Sequence, residues 1–128
     1  MPSTRIETRS GWLAGRQGEL IDAVQAALVE AIRIPETDLC IRLMEYPAGS
    51  FACPPDRGPR YTIIEISLFA GRSVAAKRRL YAAIAAHLAS LGVPDADIFV
   101  VLHDEGRENW GARGVALCDV DPGFAIEV

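Results

Sequence analysis

The chain has 128 residues, the length of one compact domain, and half of these residues are hydrophobic. Only 23% are charged, and 13 basic against 17 acidic residues give a net charge of −4. This composition excludes a disordered or collagen-like chain, and the acidic balance argues against nucleic acid as a partner. No apolar stretch approaches the roughly 18 residues that span a bilayer, so we expect no membrane partner and predict a cytoplasmic protein.

Neither the cysteines nor the histidines form a metal-binding pattern. Cys40, Cys53 and Cys118 are far apart and lack a C-x-x-C spacing, so we expect reduced structural thiols instead of disulfides or zinc ligands. His87 and His103 have no second ligand at a helical or strand spacing. Glycine-rich phosphate and dinucleotide motifs are also absent. The sequence therefore predicts neither a metal site nor a cofactor.

The first half of the chain has the pattern of a strand, a helix and a second strand. Residues 3–8 alternate polar and branched side chains, which predicts a short strand. Between residues 16 and 32 the apolar positions recur at spacings of three and four, which predicts a helix with one buried face, and Pro35 ends it. Residues 40–46 predict a second strand, which Pro47 ends.

The second half repeats this order. Residues 61–69 alternate as a strand, and Ser73 is placed to N-cap a helix that extends almost to the following glycine. A strand follows at 98–103. The two helix-to-strand joints share the pattern of a branched residue, proline, two further residues and aspartate, and their prolines, Pro35 and Pro94, lie 59 residues apart.

Two tandem β-α-β units, at about residues 2–46 and 61–103, account for this repeat. With a right-handed crossover in each unit, both helices lie on one face of a single sheet. A tail at 104–128 completes a single domain over residues 1–128. The last residues, 124–128, alternate like a strand, and in an oligomer we expect them to pair with a neighbour's sheet edge.

This arrangement leaves one sheet face bare, and we expect it to carry Tyr61, Ile63 and Phe69. Exposed apolar residues on such a face predict that other subunits cover it. We also expect the first and third strands to start beside each other in a parallel arrangement, with Arg72 beyond the far end. This expectation leaves open whether Arg72 reaches Pro2 within one chain.

Three residues are candidates for chemistry. If Met1 is removed, Pro2 becomes a secondary amine, and an amine that titrates near pH ~8 or below can act as a general base, although proline here can also be an ordinary residue. Arg72 lies between a strand and a helix, where helix N–H groups and a guanidinium can hold a carboxylate; a solvated arginine is the alternative. Asp38 can orient a water or share a proton, but its counterpart Asp97 favours a structural turn.

The polar segment 105–114 stands outside the repeat. Its Trp110 lies among polar residues and glycines, which is more typical of a pocket wall or an interface contact than of a catalyst. Arg107 and Arg113 can add to the binding of a carboxylate.

These features occur together and in a definite order: a proline at position 2, the joint 34–38, the strand 61–66 leading to the turn 70–73, and Asn-Trp-Gly at 109–111. In this order they resemble the tautomerase superfamily over nearly the whole chain. The long-chain members around malonate semialdehyde decarboxylase are nearer than macrophage migration inhibitory factor or the short 4-oxalocrotonate tautomerase subunits. The resemblance implies an α+β fold, with a four-stranded mixed sheet and two helices on one face, and a homotrimer.

The resemblance also implies roles for individual residues. Pro2 matches the catalytic proline, Asp38 matches an aspartate that acts on water or the carbonyl, and Arg72 matches one of two carboxylate-binding arginines. Ala70 stands where the second arginine is expected, and the loop after Trp110 is one residue short. These departures weaken the case for decarboxylation and hydration more than the case for keto–enol tautomerisation.

We therefore predict a tautomerase that converts a small 2-oxo acid, such as phenylpyruvate, between its keto and enol forms. Pro2 moves the proton, and Arg72 binds the carboxylate and stabilises the enolate. Trp110, Arg113 and Phe51 complete the substrate-binding residues. A decarboxylase or hydratase acting on malonate semialdehyde is one alternative, and a catalytically inactive trimeric binding or structural module is the other.

Overall fold

The computed structural model describes residues 2–126 and 128. The elements follow in the order β1 (Ser3–Arg9), α1 (Gln17–Ile32), β2 (Ile41–Tyr46), β3 (Thr62–Phe69), α2 (Val74–Ala89), β4 (Ile98–Glu105), β5 (Gly111–Ala112) and β6 (Val115–Ala116). The predicted pair of β-α-β units is confirmed. The short β5–β6 hairpin was not predicted, because two-residue strands carry no periodicity.

The main sheet has the strand order β2-β1-β3-β4. β1 is parallel to β2, and β3 is parallel to β4. β1 and β3 are antiparallel, with Ser3 opposite Ser67 and Thr8 opposite Thr62. The mixed sheet is confirmed, whereas the parallel arrangement of the first and third strands is wrong.

The core lies between the sheet and the two helices, which pack on one of its faces. Alternate residues of β1 and β3 point into it, as the period of two requires. Its fully buried large side chains include Ile6, Ile64 and Ile66 from the strands and Leu20, Leu28, Leu80 and Leu88 from the helices. The positions of both helices are therefore fixed by hydrophobic burial against the central strands.

Local signals set the helix ends. The Ser73 hydroxyl accepts a hydrogen bond from the Ala76 amide at 3.0 Å, which confirms the predicted N-cap of α2. Arg33 ends α1 in the left-handed conformation, with φ of 59°, and donates its amide to the Val29 carbonyl. Gly92 adopts the same left-handed region after α2, which suits a residue without a Cβ.

The opposite face of the sheet carries a row of polar side chains that crosses all four strands, and we call it the polar row. Arg5 donates to Glu65 at 2.9 Å and lies 3.7 Å from Glu7. Tyr46 donates its hydroxyl to Glu7, and His103 lies 3.1 Å from Glu65. The face expected to be apolar is therefore ionic along its middle.

The three apolar residues expected on this face differ in their placement. Ile63 lies there and is partly exposed, whereas Tyr61 precedes β3. Phe69 is only 3% exposed, and its ring contacts Trp110 of the same chain. Met44, on β2, is an apolar side chain of this face that is 52% exposed.

The tail does not form the predicted strand in its described residues. Phe124 and Val128 pack against the core, and Ser73 donates its hydroxyl to the Val128 carbonyl at 2.8 Å. The tail therefore folds back on its own chain and ends beside the start of α2. Within residues 2–126 and 128, no helix combines the length and apolar character needed to cross a membrane.

We expect Glu65→Gln to lower the free energy of unfolding at neutral pH but not in acid. The hydrogen bond from Arg5, and then that from His103, lower the pKa of Glu65. A carboxyl whose pKa is lowered by folding stabilises the fold above its unfolded pKa of about 4.3, and this contribution is lost as the pH falls through the folded value. Urea unfolding at about pH 7 and about pH 3, at one protein concentration, measures the difference.

As a control, Glu19→Gln removes an exposed pair with Arg16 and should change stability little at either pH. A destabilisation by Glu65→Gln that is as large in acid as at neutral pH would contradict the assignment of this effect to the ionised carboxylate.

Candidate active site

Strand direction brings three candidate residues to one end of the sheet. Pro2 immediately precedes β1, and Asp38 precedes β2, which is parallel to β1. Arg72 follows β3, and because β3 is antiparallel to β1, the end of β3 lies beside the start of β1. Arg72 is therefore at the same end of the sheet as Pro2 within one chain.

Pro2 is buried at this end of the sheet. The next residue but one, Thr4, donates its amide to the Cys40 carbonyl at 3.0 Å. This hydrogen bond holds the start of β1 beside the joint that carries Asp38. Met1, whose removal would expose the Pro2 amine, lies outside the described residues.

Arg72 is a buried cation, with 7% of its surface exposed. Its Nε atom is buried and has no hydrogen-bond partner in the part of the chain that the structure describes. Burial lowers the pKa of the Arg72 guanidinium, and the charge of nearby Asp104, which Lys77 pairs, opposes this shift. A buried guanidinium whose Nε has no hydrogen-bond partner among the described residues is costly, and such a position suits the binding of an anion.

A cavity of about 390 Å³ lies beside this end of the sheet. Its walls come from the joint before β2, the end of β3, the β5–β6 hairpin and the tail, and most of them are apolar. Asp38, Arg107 and Arg113 are among the charged lining residues. Pro2 and Arg72 do not line it. Of the three candidate catalytic residues only Asp38 lines the cavity, together with the last residue of β3, which Arg72 follows.

Arg113 is presented to the cavity by a tight turn. It has φ of 55° and Gly114 has φ of 79°, and together they connect β5 to β6. Two left-handed residues in a two-residue loop match the twist of a hairpin, but arginine is uncommon in the first of these positions. The side chain is exposed and has no ion pair in the described part of the chain. Its charge is thus available to a ligand.

Arg107, which the sequence suggested for carboxylate binding, also contacts its own chain. Its Nη2 atom donates to the Leu117 carbonyl at 2.7 Å and to the Val120 carbonyl. The guanidinium lies over the Phe69 ring, 5.7 Å from its centroid. Arg107 therefore ties the segment after the hairpin to the end of β3.

Trp110 supports the cavity wall and is not part of the lining itself. Its ring meets Phe69 edge to face, with 5.1 Å between the centroids, and its indole N–H lies 3.4 Å from the Glu105 carbonyl. Phe69 lines the cavity. The predicted wall is thus formed by Phe69, which Trp110 holds in place.

Phe51 lies at the opposite end of the sheet. Its carbonyl accepts a hydrogen bond from Arg9, the last residue of β1, at 3.3 Å, and its ring contacts Tyr46, the last residue of β2. Because a seven-residue strand spans about 20 Å, Phe51 cannot line this cavity within one chain. A site formed between two copies is required if Phe51 is to contact a substrate.

Several residues at the site were not found from the sequence. Val120, Pro122 and Phe124 of the tail line the cavity, and Gln25 of α1 donates to the backbone of the joint before β2. The sequence signal for Gln25 is a side-chain amide within an apolar helical stretch. The tail residues carry no such signal. Among the described residues, no three histidine, cysteine, aspartate or glutamate side chains cluster as metal ligands would.

Comparison with known proteins identifies the family. A sequence model of the family described as "Tautomerase enzyme" matches residues 38–113, more than half of the chain. The chain belongs to this tautomerase family. The matched segment contains Asp38, Arg72 and Trp110 and begins after Pro2, so the family is established independently of the proline.

Solved structures of other proteins have the same fold. The FG41 malonate semialdehyde decarboxylase inhibited by 3-bromopropiolate is 29% identical, with a TM-score of 0.79 over 85% of this chain and 87% of that chain. A native fused 4-OT is 25% identical, with a TM-score of 0.83 over 92% and 98% of the two chains. A fused 4-OT solved as a symmetric trimer is 27% identical, with a TM-score of 0.79 over 90% and 95%.

We expect Arg72→Met to leave the free energy of unfolding unchanged or to raise it. Methionine fills similar space and removes a buried charge whose Nε atom has no hydrogen-bond partner in the described part of the chain. Asp97→Ala is the contrasting variant, because Asp97 is 5% exposed and its carboxylate accepts from the Gly58 amide at 3.1 Å. Its loss should lower the free energy of unfolding by about 1–3 kcal/mol. Urea unfolding compares the two, and an equal loss in Arg72→Met would show that Arg72 has a structural partner.

Proposed function

We propose that this protein is a homotrimeric tautomerase that interconverts the keto and enol forms of small 2-oxo acids such as phenylpyruvate. The observation that carries the proposal is the convergence of Pro2, Asp38 and Arg72 at one end of the sheet. Arg72 is buried there, and its Nε has no hydrogen-bond partner among residues 2–126 and 128. A base, a carboxylate and an anion-binding cation are the groups that moving a proton within a 2-oxo acid requires.

The proposed step moves one proton. In the ketonisation direction, the Pro2 nitrogen accepts the proton of the enol hydroxyl, the C2–O bond becomes a carbonyl, and C3 takes up a proton from the same nitrogen. Burial disfavours the charged form of an amine, which suits Pro2 as the acceptor. Arg72 holds the carboxylate and stabilises the negative charge of the enolate. Asp38 orients a water or shares a proton with the Pro2 amine.

The cavity supports a substrate with an apolar substituent. Its volume of about 390 Å³ is larger than a three-carbon acid fills. Its mostly apolar walls suit an apolar substituent. Arg113 lies on the lining with its charge available and is the proposed second contact to the carboxylate. Trp110 acts through Phe69.

The homotrimer is supported by two observations. Solved fused 4-OT relatives are described as trimers, and the sheet face away from the helices exposes the apolar side chains of Met44 and Phe99, at 52% and 51%. A copy seated on this face also offers a way to bring a Phe51 ring to the site of another copy. Light scattering on the eluted protein should give three times the mass of one chain.

Decarboxylation of a three-carbon oxo acid is the second candidate, because one relative is a malonate semialdehyde decarboxylase. Ala70 stands two residues before Arg72, so the pair of arginines that the resemblance expects is incomplete. Release of carbon dioxide from malonate semialdehyde, lost in Pro2→Ala, would favour this candidate over the tautomerase.

We expect untagged protein, with the loss of Met1 verified by intact mass, to accelerate the ketonisation of phenylenolpyruvate. Pro2→Ala should lower kcat/KM by about 10²- to 10⁴-fold, the usual contribution of a general base. The assay follows the loss of enol absorbance in the ultraviolet. Rates that match buffer for both proteins would contradict the tautomerase and favour an inactive binding module.

Arg72→Ala tests the carboxylate contact in the same assay. Loss of a charged hydrogen-bonding group, about 1.5–3 kcal/mol, should lower kcat/KM by about 10- to 150-fold, mainly through KM. Arg72→Lys should recover part of the loss, because it keeps the charge but not the two-pronged geometry. An unchanged kcat/KM in Arg72→Ala would remove Arg72 from the site.

A further inference from the structure

The two helix-to-strand joints have the same backbone turn. In the first, the Asp38 amide donates to the Pro35 carbonyl at 3.0 Å, and in the second the Asp97 amide donates to the Pro94 carbonyl at 2.9 Å. Both aspartates follow a proline by three residues. The turn itself therefore places each aspartate in the same way, and any difference between them comes from their surroundings.

In the second joint the aspartate anchors the turn with its own side chain. The Asp97 carboxylate accepts from the Gly58 amide at 3.1 Å and is buried. Gly58 belongs to the loop between the two units, so this contact also fixes that loop. The Asp97 side chain therefore has a structural role.

In the first joint a different residue provides the anchor. Gln25, on α1, donates its side-chain amide to the Asp38 carbonyl at 3.2 Å and to the Glu36 carbonyl at 3.4 Å. The backbone of the joint is held from the helix side, while Asp38 lines the cavity. Gln25 therefore holds the backbone on both sides of residue 37, next to the cavity that Asp38 lines.

The Gln25 side chain is placed at a cost to the fold. Its Oε1 atom is buried and has no hydrogen-bond partner in the described part of the chain. A buried acceptor without a partner destabilises a protein, and an apolar side chain at this position avoids that penalty. The amide is explained by what its nitrogen holds.

We propose that Gln25 is a positioning residue, which fixes the backbone of the joint so that the Asp38 carboxyl faces the cavity. This inference rests on the proposed role of Asp38 in the tautomerase reaction. Gln25 itself touches no substrate. Its effect on the rate passes through Asp38 alone, and this gives a test that a structural role would not satisfy.

A double-mutant cycle on kcat/KM tests the inference. Gln25→Met should lower kcat by about 10- to 100-fold, as expected for a misplaced catalytic group, with KM little changed. In the Asp38→Asn background the same substitution should cause no further loss. Gln17→Met is the matched control, because Gln17 is on the same helix and donates its amide to Glu45 on β2. It should change kcat/KM less than about twofold in either background.

Losses that multiply in the double variant, or a Gln17→Met loss as large as that of Gln25→Met, would overturn the inference. Full activity in Asp38→Asn would overturn it too, while Pro2→Ala decides separately whether the tautomerase proposal holds.

Hydrogen exchange gives a readout that needs no activity. The Asp38 amide should exchange faster in Gln25→Met than in wild type, whereas the Asp97 amide, in the equivalent turn, should keep its rate. Unchanged exchange at Asp38 would overturn the inference even if the catalytic rate fell. Faster exchange at Asp38 in a protein without tautomerase activity would keep Gln25 as the anchor of the joint and reject the proposed function instead.

Discussion

The antiparallel pairing of β1 with β3 is the constraint on which the site depends. The two units extend the sheet in opposite directions, with β2 on one side and β4 on the other. If β1 and β3 were parallel, right-handed crossovers in opposite directions would place α1 and α2 on opposite faces. The two helices instead pack together on one face. The central strands are therefore antiparallel, and this direction brings the residue before β1 and the turn after β3 to one end of the sheet.

At that end of the sheet, charged and polar side chains occupy buried positions at which apolar side chains would stabilise the fold more. Arg72 is buried, and Gln25 holds the joint before β2; neither Arg72 Nε nor Gln25 Oε1 has a hydrogen-bond partner in the part of the chain that the structure describes. The second unit shows the structural solution to the same turn, in which Asp97 bonds to the loop at Gly58. The two joints therefore differ in what surrounds the aspartate: Asp97 binds a loop of its own chain, and Asp38 lines a cavity.

The sequence predicted those features that local chemistry decides. The Ser73 cap, the stop at Gly92 and the boundaries of the strands follow from propensity and periodicity. The predicted parallel direction of the first and third strands is wrong, because a sequence repeat does not itself fix the relative direction of its two units, whereas right-handed crossovers with both helices on one face do. Phe51 and the tail depend on contacts across the chain, which no local pattern reveals. The placement of Arg72 and Pro2 at one end of the sheet depends on the antiparallel direction of β1 and β3.

The most direct test of the convergence of Pro2, Asp38 and Arg72 is a crystal structure of the untagged protein, with Met1 removed, bound to a non-enolisable 2-oxo acid. The ligand carboxylate should lie about 2.7–3.2 Å from the Arg72 guanidinium, with the Pro2 nitrogen facing the ligand's C2–C3 bond. A carboxylate held elsewhere, with Arg72 unliganded and Pro2 turned away from the ligand, would contradict a site built by the antiparallel pairing of β1 and β3.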